Sequence, residues 1–313
     1  MTTALETHDG LSSEMLQYIY KYRLFKLFVP KAYEGLACTL PDGLEYIFEA
    51  GQREGNLGWC VNLGAGAGYF SGFFNDDAAR EIFADEKGVV AGSGMDSGTY
   101  TFENGKYTIR GKWGKCTGAA HATYFTVNAV GKDGKPKSFA IPRHLVTIKP
   151  TWGLFALKNT SSFSIEVNDA TIDASLAFEI GVIVNPHAYV IHRMDFMLFA
   201  RYCMAAAYYG LVDCFADKIA EKFAVAAELK ENVAGSWHQL MVSAVRHWQQ
   251  LEANEPIHDQ DELQQKIANS TKKLFDHCMD IFYKHGIHLA DERSEAHLAL
   301  KNVMLASQHG LLK

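Results

Sequence analysis

Residues 88–122 read GVVAGSGMDSGTYTFENGKYTIRGKWGKCTGAAHA. The β-rich runs 99–103 and 106–110 flank Asn104-Gly105, and an Asn-Gly pair between two such runs predicts a tight hairpin. Gly92, Gly94, Gly98, Gly111, Gly114 and Gly118 make the stretch richer in glycine than an ordinary strand, so something approaches the backbone closely there. Thr117, just ahead of Gly118, offers a short hydroxyl to a ligand. The same residues also fit a bulged, tightly turned barrel with Trp113 in its core.

The strand signature continues through 123–130, a turn at Asp133-Gly134, and runs at 137–141, 146–151 and 162–167. Three of the seven prolines (Pro136, Pro142 and Pro150) fall here. Residues 88–180 therefore predict a small antiparallel β-barrel or sandwich. Residues 1–87 predict helices: an amphipathic one after Ser12, stopped by Pro30, one opening at Leu40-Pro41-Asp42, and a short one capped by Asn75. Gly58, Gly64, Gly66, Gly68 and Gly72 crowd residues 56–72. Glycine costs about 1 kcal/mol inside a helix, so this segment is either a loop or a place where backbones pack closely. Residues 181–313 predict four helices, over 194–222, 236–253, 259–285 and 294–309, with Gly310 as a left-handed cap. The first is apolar on most faces and has more surface to bury than a four-helix bundle covers. The fold class is mainly α with a central β-domain.

Composition excludes several functions. At 48% hydrophobic and 21% charged the chain is ordinary globular protein, and its 313 residues suffice for two or three domains. A net charge of −6 excludes a nucleic-acid partner, and no apolar run approaches the roughly 20 residues that cross a bilayer. The polar start MTTALETHDGLSSE carries no readable secretory signal. Cys38, Cys60, Cys116, Cys203, Cys214 and Cys278 are scattered, which fits reduced thiols in a cytoplasmic protein and no metal site. No phosphate-binding loop, dinucleotide fingerprint, HExxH or GxSxG motif is present.

The pattern G-S-x11-G-x-Y-x-I-x-G-x-W-x3-[ST]-G-x2-H-A, running from Gly92 to Ala122, resembles the middle β-domain of the acyl-CoA dehydrogenase superfamily, closest to its two-component, group D flavin monooxygenase branch. LFVPKAYEG at 27–35 and ASQH at 306–309 are similar to segments found early and late in that branch. The resemblance implies N-terminal helices, a β-domain and a C-terminal four-helix bundle. It implies a flavin, FAD or FMN, bound between β-domain and bundle, with Thr117 near N5 and Ala91, Gly92 and Ser93 at the pyrimidine edge. Trp113, Gly118 and His121 complete the implied cofactor site. His309 is the implied catalytic residue, helping to hold a flavin C4a-hydroperoxide that hydroxylates a small substrate. A separate flavin reductase and a homotetramer or homodimer are the implied partners.

The chain also departs from the superfamily. Its late glutamates, Glu292 and Glu295, do not match the carboxylate an acyl-CoA dehydrogenase needs. Residues 221–237 lack the arginine that members with tightly bound FAD offer to a neighbouring subunit, and Lys301-Asn302 replaces an Arg-Asp pair. An FAD-dependent dehydrogenase and a non-catalytic ligand-binding or assembly relative are the alternative readings.

Overall fold

The computed structural model describes residues 10–313, and the opening residues read for a secretory signal lie mostly outside that span. Four helices come first: α1 (Ser13–Lys21), α2 (Leu40–Arg53), α3 (Gly55–Ala67) and α4 (Asp76–Phe83). Each begins on a side chain that accepts an otherwise unpaired backbone N–H: Ser12, Thr39, Glu54 and Asn75 respectively. The first helix stops well before Pro30. Arg23 turns left-handed at φ 53°, and the chain continues in single 3-10 turns. That turn buries Lys26, whose Nζ donates to the Phe83 carbonyl at 2.8 Å and so satisfies the end of α4.

The glycine-rich segment is a helix whose missing side chains admit its neighbours. A methyl group on Gly58 would lie 2.4 Å from the Cα of Gly51 on α2, and one on Gly64 would lie 2.4 Å from the Phe25 ring. One on Gly72 would strike His192 at 2.3 Å.

Seven strands follow: β1 (Val90–Glu103), β2 (Lys106–Cys116), β3 (Tyr124–Val130), β4 (Pro136–Pro142), β5 (Thr147–Lys149), β6 (Phe163–Asp173) and β7 (Ala177–Phe178). They form one sheet in the order β5-β6-β2-β1-β3-β4-β7. Asn104 and Gly105 both take positive φ, 50° and 76°, as a two-residue hairpin of this hand requires. The expectation of a purely antiparallel domain is corrected, because β1 and β3 run parallel. β1 is long enough to serve two partners, β2 along 98–103 and β3 along 90–99. The turn after β2 carries the chain back to the start of β1, where Thr123 N and Oγ1 both donate to Val89 O at 2.9 Å. Trp113 is fully buried against this sheet and its Nε1 donates to Asn128 O at 2.9 Å. Methyl groups on Gly98 and Gly111 would meet the indole at 2.2 and 2.6 Å, so these two glycines exist to seat it.

Four long helices complete the chain: α5 (Phe196–Ile219), α6 (Val225–Glu252), α7 (Gln260–Leu289) and α8 (Glu295–Ala306). α5 is buried along most of its length, and what buries it corrects the argument from its apolarity. α2 and α3 pack along it together with α6, α7 and α8. A methyl on Gly210 of α5 would lie 2.4 Å from Phe48 O of α2. The helix is therefore covered within one chain, and its composition alone does not demand a partner subunit. Gly310 also differs from expectation: it opens a 3-10 turn, Gly310–Leu312, and is not in the left-handed region.

Candidate functional site

The end of β2, the start of α3 and the last helix converge on residues 157–162. Leu157 and Ser161 turn left-handed at φ 51° and 42°, and the segment between them is pinned from three sides. Leu157 N donates to Asn302 Oδ1 of α8 at 2.9 Å. Asn159 N donates to Asn56 Oδ1 of α3 at 3.2 Å. Gly118 N donates to Thr160 O at 2.9 Å. Thr117 enters this junction through its hydroxyl. Its Oγ1 lies 2.8 Å from Ser162 Oγ, which lies 2.8 Å from Thr160 Oγ1. Thr160 Oγ1 donates onward to Leu157 O at 2.7 Å, so Ser162 donates to Thr160 and Thr117 to Ser162, which leaves Thr117 Oγ1 at the head of the chain with lone pairs free to accept.

His309 stands on the helical side of the same junction. Its ring lies edge-on to Trp59 of α3, with centroids 5.8 Å apart. The Leu311 N–H donates to His309 Nδ1 at 3.3 Å. In the neutral imidazole that bond places the remaining proton on Nε2, which becomes a hydrogen-bond donor. Burial, and then the positive charge of Lys115, pushes His309 below the usual imidazole range, so the neutral form prevails at physiological pH.

The remaining predicted residues are distributed less closely. Gly118 takes φ 82° and a methyl there would meet His121 Nε2 at 3.0 Å. His121 stacks on Phe25, with centroids 5.2 Å apart. Burial, with the charge of Arg143 second, pushes it down to about 4. Among the described residues its Nδ1 is buried without a hydrogen-bond partner, as are Ser161 Oγ and Asn159 Oδ1. Ala91, Gly92 and Ser93 lie on the first half of β1 beside 125–127 of β3, where a methyl on Gly92 would strike Thr126 Oγ1 at 2.2 Å. Among the described residues no hydrogen bond or ring contact brings them to Thr117 or His309. Trp113 is spent inside the sheet. Trp59, Lys115 and Ser162 belong to the junction and escaped sequence reading. Only Ser162 carried a signal, the hydroxyl run Thr160-Ser161-Ser162.

A cavity of about 620 Å³ opens elsewhere, between α6 and α7, and none of the predicted site residues lines it. Among the described residues no cluster of His, Cys, Asp or Glu could hold a metal ion, and no helix is long and apolar enough to cross a membrane.

No family model matches the chain. It is 29% identical over 148 residues to a pigment production hydroxylase of Rhodococcus sp. (strain ATCC 21145), covering 46% of this chain and 38% of that protein. It is 27% identical over 178 residues to the oxygenase subunit HsaA of a flavin-dependent monooxygenase from Mycobacterium tuberculosis (strain ATCC 25618 / H37Rv), covering 54% and 44%. The aligned region thus spans less than half the length of these relatives. The 3-HSA hydroxylase structure from Rhodococcus sp. RHA1 superposes with a TM-score of 0.89 at 16% identity, covering 97% of this chain and 87% of that one. XiaF from Streptomyces sp., in complex with FADH2 and glycerol, superposes with a TM-score of 0.88 at 16% identity, covering 98% and 86%. The chain has the acyl-CoA dehydrogenase-like fold. Within that fold its homologues are oxygenase subunits of flavin-dependent monooxygenases.

Proposed function

We propose that this chain is the oxygenase component of a two-component flavin-dependent monooxygenase, using reduced flavin and O₂ to hydroxylate a small aromatic substrate. The observation that carries the reading is the pairing of an oriented acceptor and an oriented donor at one junction. The Thr117 hydroxyl heads a chain of ordered hydroxyls, and His309 Nε2–H is fixed by the Leu311 amide. The buried atoms His121 Nδ1, Ser161 Oγ and Asn159 Oδ1 on the neighbouring loops, without partners among the described residues, fit a ligand with a polar edge, as an isoalloxazine has. A bound flavin, FAD or FMN, supplies the oxygen-activating chemistry.

The protein's share is binding and proton placement. Thr117 Oγ1, its own proton given to Ser162, accepts from an N–H at the ring edge, Gly118 allows close approach, and His309 offers a neutral N–H without releasing its proton. Ala91, Gly92 and Ser93 form a more distant part of the same wall in this reading, and Trp113 supports the wall from inside the sheet. An acyl-CoA dehydrogenase would need a carboxylate here. Glu295 is instead paired with Lys218.

A separate flavin reductase would supply the reduced cofactor. The exposed Tyr283 and Ile287 on α7, at 90% and 85%, support an assembled form, a homotetramer or homodimer. The free cysteines support a reducing, cytoplasmic setting.

The test is to supply a flavin reductase, NADH, flavin and ¹⁸O₂ with a panel of aromatic substrates. Hydroxylated product carrying one ¹⁸O atom, formed only when this chain is present, is the expected result. Equal product with the reductase alone would refute the reading.

A further inference from the structure

Packing accounts for four of the glycines that crowd residues 56–72. A methyl on Gly58 would lie 2.4 Å from Gly51 Cα, on Gly64 2.4 Å from the Phe25 ring, on Gly68 2.9 Å from Val29 Cγ2 and on Gly72 2.3 Å from His192. Gly66 is different. Among the described residues a methyl there would meet nothing within 4 Å outside its own helix backbone. After proline, glycine is the residue least suited to a helix interior, so Gly66 leaves space that no neighbour uses.

Side-chain contacts close that space at both ends. α3 and α5 run antiparallel. At one level Asn62 Nδ2 lies 3.5 Å from Met204 Sδ. At the next, Tyr69 stacks on Phe199 with centroids 4.7 Å apart, and Phe70 meets Phe196 at 5.3 Å. Midway between these levels stand Gly66 on α3 and Ala200 on α5, both partly open to solvent. Two of the smallest residues thus leave a notch between two helices. Its far wall is fixed, because Tyr69 is fully buried and its hydroxyl donates to Met194 O at 2.7 Å. The notch opens onto a face of α3 shared, at helical spacing, by Trp59, Leu63 and Gly66. Leu63 is partly exposed there, and Trp59 meets the His309 ring edge-on. Seven residues of helix put Gly66 about 10 Å beyond Trp59.

We propose that Gly66 is a specificity-determining residue: the notch it shares with Ala200 receives the apolar end of a substrate whose reacting end lies at His309, and so sets the length accepted. The proposal rests on the reading of the His309 junction as the reaction site. A side chain at either position would project into the notch, and the pinned Tyr69 wall could not retreat to make room. A substrate too short to reach the notch would not register the change.

The test measures binding of para-cresol, para-propylphenol and para-pentylphenol to the full chain by titration calorimetry, using the alkyl chain as a ruler. Wild-type affinity is expected to rise about fourfold for each methylene added. Gly66→Leu should weaken para-pentylphenol by about tenfold or more and leave para-cresol within about twofold, the scale of a filled apolar pocket. Ala200→Leu should do the same from the facing helix. Gly66→Ala should weaken para-pentylphenol less while melting above the wild type, so its effect is not unfolding. Gly235→Leu, on α6 where an added methyl also meets nothing within 4 Å, should change neither ligand. Wild-type affinity that does not rise with chain length, no binding of any of the phenols, or a Gly66→Leu effect that is absent or equal on all three would overturn the proposal. The series is run without flavin or oxygen. A length cut-off that moves with residue 66 in a chain that hydroxylates nothing would count against the monooxygenase reading alone.

Discussion

Gly58→Ala will cost about 3 kcal/mol or more of stability, the scale of overpacking where no neighbour can yield. The added methyl meets Gly51 Cα at 2.4 Å, Gly51 N at 2.6 Å and the Ala50 carbonyl carbon at 3.2 Å, all of them backbone atoms. α2 and α3 must therefore separate, and α5 with them, because Gly51 lies against the Ala207 carbonyl and Gly210 of α5. Gly66→Ala is the control on the same helix. A methyl there meets nothing within 4 Å, and replacing a helical glycine should stabilise by about 0.5–1 kcal/mol. Thermal melting should separate the two variants in opposite directions. Equal shifts would mean that α3 is not packed as described.

His309→Leu will lower product formation by about 100-fold or more, the scale for losing a positioned donor, while reduced flavin still binds. Oxygen should then be consumed without matching product. The pH profile gives an independent check. His309 is held below the usual imidazole value of 6.5 by burial and then by Lys115, so it stays neutral as pH falls through 6.5 and gains its proton only below that. The acid limb of activity should therefore lie below 6.5 in the wild type. It should move up toward 6.5 in Lys115→Asn, where the repelling charge is gone. An acid limb above 6.5 would show that neutral His309 is not the working form.

What the sequence revealed was chiefly local. Ser12 and Asn75 cap their helices through side chains three residues from the groups they satisfy, and Asn104-Gly105 sets its own hairpin. The parallel pairing of β1 with β3 was hidden, because strand direction depends on the path of the turn after β2 and not on the alternation of either strand. α6 begins at Val225, eleven residues ahead of the expected Ser236. Its opening turns bury Ala226, Leu229 and Val233 at helical spacing, while Gly235 faces open space and so breaks the pattern without breaking the helix. The third C-terminal helix was expected to end at His285. That residue does leave helical geometry, at φ −124°, but the helix resumes to Leu289.

The candidate site divides in the same way. Thr117 and His309 were recognisable because they sit in motifs that resemble a known family. Trp59, Lys115 and Ser162 lie on three separate elements and meet only in the fold. Trp113 sat in the same motif, yet the structure uses its indole to fill the sheet.

The most direct measurement is an anaerobic titration of the purified chain with reduced FMN and reduced FAD, alongside their oxidised forms, followed by fluorescence and absorbance and repeated with Thr117→Val. The account predicts that a reduced flavin binds more tightly than its oxidised form, and that Thr117→Val weakens the reduced form several-fold. If neither reduced flavin binds, or if Thr117→Val leaves binding unchanged, the junction is not a flavin site. The chain would then be a ligand-binding or assembly relative that keeps the fold.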